Sequence, residues 1–158
     1  MKQDKFLIGI LIGIGVLVLL ALGLFFTRQD KREYVAETEP EGVVHNYVLA
    51  VLNRDYEKAY SYLADLKYKP TYEEFRQSFI NGMVYPNDVG LDIGEADIHG
   101  EEATVNLTLY YSYNDPFSSR TGNPDRALLV KQDGVWKLSA MPYNFWDYST
   151  WYVEPYKP

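Results

Sequence analysis

The chain has 158 residues, no cysteine, 15 Lys plus Arg against 22 Asp plus Glu, and 16% aromatic residues. That length holds one ordinary domain or two small ones, and without cysteine there is no disulfide framework, thiolate metal site or thiol nucleophile. A net charge of −7 offers no basic stripe for neutralising phosphates, so nucleic acid is not expected as a partner.

Residues 1–5 form a short N-terminal tail carrying Lys2 and Lys5, and residues 6–26 follow without a charged side chain. At about 1.5 Å per residue that stretch is about 31 Å long as a helix, which matches a hydrocarbon core of about 30 Å. It predicts a transmembrane helix in contact with membrane lipid. A cleaved signal peptide is the competing reading, because Ala21-Leu22-Gly23 resembles a small-residue cleavage site. With Lys2 and Lys5 before the span and Arg28, Lys31 and Arg32 after it, the charge rule is close to a tie. The expectation is a single-pass protein of the cell membrane with its folded domain extracytoplasmic. Gly9 and Gly13 form a small-xxx-small pair that suits helix pairing. Residues 27–37, TRQDKREYVAE, are too polar to bury and read as a juxtamembrane stalk.

The folded domain is expected over residues 38–142. Thr38-Glu39-Pro40-Glu41 reads as a capping box, followed by Val43, Val44, Tyr47, Val48, Val51 and Leu52 at helical spacing, with Asn46 and Asn53 on the opposite face. A break at Asn53-Arg54-Asp55 opens a second helix with Tyr56, Ala59, Tyr60 and Leu63 on one face, ended by Lys69-Pro70. Thr71 to Glu74 is a second capping box, and Gly82 is the expected C-cap of the helix that follows. The period then changes to two. Strands are predicted over residues 91–98, 103–111, 126–131 and 135–141, with turns at His99-Gly100 and Asp133-Gly134 and a loop over residues 114–125. Residues 143–158 form a tail in which seven of 16 residues are aromatic. The fold class is therefore α+β: an N-terminal transmembrane helix, then three helices packed on a curled antiparallel sheet.

The order of elements, the D-Y-E-K-A-Y run from Asp55 to Tyr60, and the closing hairpin with Gly134-Val135-Trp136-Lys137-Leu138 resemble the nuclear transport factor 2-like, or ketosteroid isomerase-like, cone superfamily. The likeness is to its membrane-anchored bacterial type. It implies a cone-like fold with a cavity between helices and sheet, and it implies little about function, because many unrelated sites are grafted on such folds.

Enzymes of that superfamily set an ionisable group inside the cone. The expected inward positions offer Tyr47, Tyr60, Tyr72, Tyr111 and Tyr113, with Trp136 beside them, and no inward acid unless the first strand takes the other register. The cavity or ligand-binding candidates are therefore Tyr47, Tyr60, Tyr111, Tyr113 and Trp136. His45 and His99 lack a partner at metal-ligand spacing, and the acids Asp88, Asp92, Glu95 and Asp97 do not follow a calcium-loop pattern. No catalytic residue, metal or cofactor is assigned. Two readings compete for the tail: it folds back over the mouth of the cone, or Phe145, Trp146, Trp151 and Tyr152 face outward as an interface. The leading functional expectation is a membrane-anchored, non-catalytic interaction or binding module with a protein partner, set in a cell-envelope complex. The alternatives are a ligand binder or enzyme using the cone cavity, and an accessory subunit held by its transmembrane helix.

Overall fold

The computed structural model describes residues 5–27, 33–111 and 121–154. The chain divides into two compact units, Met1–Arg32 and Glu33–Pro158. The first contains helix α1, Lys5–Thr27. Among the described residues no helix is long and apolar enough to cross a membrane. The expected transmembrane helix over residues 6–26, and the single-pass cell-membrane placement built on it, are corrected accordingly. Gly9 and Gly13 lie on α1 with nothing within 4 Å of an added Cβ.

The second unit has helices α2 (Pro40–Leu52), α3 (Tyr56–Ser61) and α4 (Tyr72–Ile80), and strands β1 (Val89–His99), β2 (Glu102–Tyr111), β3 (Gly122–Gln132) and β4 (Val135–Ala140). Among the described residues the architecture is thus α+β, with four α-helices and one antiparallel sheet in the order β1-β2-β3-β4. Alternation along β2 buries Ala103, Val105, Leu107 and Leu109, which meet Val43, Val44, Tyr47 and Val51 of α2 in the core. Asp133 and Gly134 take positive φ, 51° and 81°, and close the β3–β4 hairpin by the turn this pair favours.

Several local expectations change. The box at Thr71 and Glu74 forms in both directions, but α2 is capped at Glu39 without a side-chain bond. The Glu41 carboxylate is taken by a longer-range donor, the Ala96 amide at 2.7 Å, where the β1–β2 register shifts. The helix after Asp55 stops at Ser61, because Tyr62 and Ala64 give their backbone groups to Leu138 of β4. Strand β3 begins at Gly122, inside the expected loop. Pro124 is tolerated there because β3 pairs with β4 only from Leu128 onward, so its missing N–H faces an unpaired edge.

The largest change concerns Asn46, expected on the solvated face of α2 and found fully buried. Residues 33–37 cover that face. Val35 donates its N–H to Asn46 Oδ1 at 2.9 Å, and Asn46 Nδ2 donates to Val35 O at 2.8 Å, so the side-chain amide pairs with the backbone as a neighbouring strand would. Glu37 Oε1 accepts from Asn46 Nδ2 at 3.0 Å and from the Tyr62 hydroxyl at 2.7 Å. Gly42 lets the segment approach: a Cβ there would lie 2.1 Å from Ala36 O. Part of the expected stalk is therefore a strap belonging to the folded unit.

Candidate functional site

The aromatic tail supplies core. Phe145, Trp146 and Trp151 are 1%, 3% and 2% exposed, and rings at that burial present no surface to a partner. Trp151 stacks on Phe75 with centroids 4.7 Å apart and meets Trp146 edge-on at 5.1 Å. Tyr152 is partly buried, stacked on Trp146 at 5.7 Å, and its hydroxyl donates to Ala64 O. Among the described residues of the tail, the rings that remain exposed are Tyr143 and Tyr148.

Asp147 holds the tail turn. Its carboxylate accepts from Ser78 Oγ at 2.7 Å, Thr150 Oγ1 at 2.9 Å, the Ser149 amide at 2.9 Å and the Ser149 hydroxyl. Ser78 Oγ in turn accepts from Trp151 Nε1 at 3.2 Å. Burial pushes the Asp147 carboxyl up, but the Ser149 and Ser78 hydroxyls, with the Ser149 amide and Thr150, outweigh it and hold the group below its ordinary value. Every oxygen is engaged, so this carboxylate is a fastener.

The expected cavity residues do not converge. Tyr47 is wholly buried, with its hydroxyl donating to Phe145 O at 2.7 Å, and burial raises that phenol well above its ordinary value. Tyr60 donates to Pro70 O at 2.8 Å, and its ring meets Tyr72 and Phe75 edge-on. Tyr111 donates to Asn144 Oδ1 at 3.3 Å and accepts from the Tyr143 hydroxyl at 3.0 Å. Trp136 is buried in β4 with Lys131 Nζ 5.2 Å from its ring. Tyr113 lies outside the described residues. Of the two histidines, His45 Nε2 donates to the strap carbonyl of Glu33 at 3.0 Å, and His99 sits 3.3 Å from Asp97 on the surface.

Among the described residues an open concavity lies elsewhere, between the end of α2, the end of α4 and the short 3-10 turn Pro86–Asp88. It has a volume of about 380 Å³, inside the range of about 300–1,000 Å³ common for small-ligand sites. Val51, Leu52, Tyr56, Phe79 and Val84 give it an apolar wall, and Tyr56 and Phe79 stack with centroids 5.2 Å apart. Ile80 and Tyr85 stand at its rim, 51% and 58% exposed. Arg54 and Asp88 are its charged members.

Both helices end at this cleft with the same backbone closure. At α2, Asp55 N donates to Ala50 O at 2.9 Å and Arg54 N to Val51 O at 3.0 Å; at α4, Met83 N donates to Ser78 O at 2.9 Å and Gly82 N to Phe79 O at 3.3 Å. This motif requires a left-handed residue after the C-cap. Gly82 fills it with φ 69° and Arg54 with φ 59°. A side chain in that conformation costs roughly 1–2 kcal/mol, more than the roughly 0.3–1 kcal/mol that an exposed cation gains at a helix C-terminus. The signal was present in the sequence, since Asn53-Arg54-Asp55 reads as a helix break with arginine where glycine is favoured.

No family model matches the chain, and no curated protein matches it. Among solved structures it is similar to a SEC-C motif containing protein from Rhodopseudomonas palustris, at 14% identity and a TM-score of 0.46, over 67% of this chain and 79% of that one. Likeness at that level carries nothing about ligand or activity. Nothing in these comparisons supports the nuclear transport factor 2-like assignment, which is corrected with the cone-like label it brought. The motifs behind it have local causes: Asp55 caps α3 by accepting from Lys58 N at 3.2 Å, and Asp133-Gly134 is a general hairpin turn.

Proposed function

We propose that the unit Glu33–Pro158 is a non-catalytic binding module whose ligand has an apolar body and occupies the cleft between α2, α4 and the 86–88 turn. The carrying observation is the open, half-apolar cleft itself, set against a core closed by the rings of Phe145, Trp146 and Trp151. The buried ionisable groups are already engaged, Asp147 by three residues and Tyr47 by the Phe145 carbonyl. That favours binding over acid–base chemistry, which needs a group within reach of a reacting atom.

Indole serves as a neutral aromatic probe, followed by amide chemical shifts on the full chain. Shifts confined to Leu52, Tyr56, Phe79, Val84 and their neighbours, and lost in Tyr85→Ala without loss of melting temperature, are expected. Shifts scattered over the surface, or absent at millimolar probe, would sink the reading.

A further inference from the structure

Among the described residues, four other than glycine have positive φ: Arg54, Tyr68, Asp133 and Tyr152. In three of them the residue itself makes a turn or meets side-chain partners. Asp133 makes the hairpin turn, Tyr152 stacks on Trp146 and bonds Ala64, and Tyr68 donates to Glu154 at 2.7 Å. Among the described residues the Arg54 guanidinium has no ion pair, hydrogen bond or ring contact. Its partner residue in the other helix end, Gly82, shows what the backbone there prefers. The helix closure needs a left-handed residue at this position but not an arginine, and a side chain kept there at that cost, without a partner and at the lip of a cleft, points to a group held for a ligand.

The cleft carries a second unpaired charge. Asp88, from the 3-10 turn, pairs neither with Arg54 nor with any other described residue. Both side chains are exposed, so an uncharged ligand would leave them to water and use neither. A purely anionic one would meet Asp88 and a unit whose residues 33–158 hold 10 basic against 20 acidic side chains. A molecule with one charge of each sign and an apolar body answers all three features, and arginine suits carboxylate through its planar fork of donors.

Resting on the cleft as the binding site, we infer that its ligand is an apolar zwitterion, a hydrophobic amino acid or short apolar peptide, with its carboxylate on Arg54 and its ammonium on Asp88. The aromatic pair Tyr56 and Phe79 receives the apolar side chain.

The probes are L-phenylalanine, N-acetyl-L-phenylalanine and phenethylamine, titrated calorimetrically and by amide shifts against the full chain. Phenylalanine should bind about tenfold more tightly than either analogue, since each lacks one charge-assisted contact. Arg54→Gly should weaken phenylalanine about tenfold and leave phenethylamine unchanged, while melting higher than the parent because the left-handed strain is gone. Asp88→Asn should weaken phenylalanine and spare the acetylated analogue. Equal binding of all three probes, or an Arg54→Gly protein that binds phenylalanine as before, overturns the assignment; so does an Arg54→Gly protein that melts lower, since the residue would then be structural. If indole shifts the cleft and phenylalanine does no better, the zwitterion fails and the cleft stands. If no probe shifts the cleft, both fail.

Discussion

Gly42→Ala tests the strap over α2. The added Cβ would lie 2.1 Å from Ala36 O, whereas real Cβ contacts stay beyond 3.0 Å, so the strap must lift by about 0.9 Å. The Val35–Asn46 bonds, now 2.9 and 2.8 Å, cannot survive that displacement, and Glu37 Oε1 is drawn from Asn46 with them. Three bonds at a net of about 1 kcal/mol each, less about 1 kcal/mol gained by replacing glycine within a helix, give a destabilisation of roughly 2 kcal/mol. With a urea dependence of about 2 kcal/mol per molar for a domain of this size, the midpoint should fall by about 1 M. Tryptophan fluorescence reads the transition, and hydrogen exchange reads the Val35 amide. Asn46→Ala should cost a similar amount, and the double variant little more than either alone, because both remove the same contacts. An unchanged midpoint with Val35 still protected would refute the strap as a structural element.

Trp151→Ala removes a buried ring that stacks on Phe75 and meets Trp146 and Phe79, and it should destabilise the unit by about 3–5 kcal/mol in the same urea assay; a loss below about 1 kcal/mol would place the tail outside the core. Asp147 sets an acid limit. Its folded-state carboxyl is held below the ordinary value of about 3.9, so its contribution is complete above that pH and is lost as pH falls through the lower, folded-state value. Asp147→Asn should lower the melting temperature at neutral pH and flatten its decline below about pH 4; an unaltered decline would assign the acid sensitivity elsewhere. Thr71→Ala removes the hydroxyl that accepts from the Glu74 amide and donates to its carboxylate, while the residue 71 amide still donates to Glu74, and it should cost about 1 kcal/mol; an effect within the error of the urea midpoint would count against the cap.

What the sequence makes legible follows the range of the forces involved. The alternation along residues 103–109 and the Thr71–Glu74 box are decided by near neighbours, and both appear in the fold. The Thr38–Glu41 box has the same local grammar and does not form, because the amide of Ala96, 55 residues away, competes for the carboxylate. Asn46 reads as solvated because polarity on a helix normally marks the wet face, and nothing local announces that Val35 will cover it. Pro124 reads as loop because the point at which β4 stops pairing with β3 is not written near the proline. The cleft was legible only as two helix breaks. That they face one concavity, one ending in glycine and the other in arginine, depends on how α2 and α4 pack.

The bond from Tyr47 to the carbonyl of Phe145 joins residues 98 apart, and Ser78 meets Asp147 across 69. A chain emerging from the ribosome makes α2 and α4 long before their aromatic cover exists. Until residues 145–151 arrive, the rings of Tyr47 and Phe75 lack the surface they bury against. The unit's vulnerable interval is thus one of synthesis: slow translation between β4 and the tail lengthens the time during which a nearly finished sheet and an open helical face share the same exposed nascent chain.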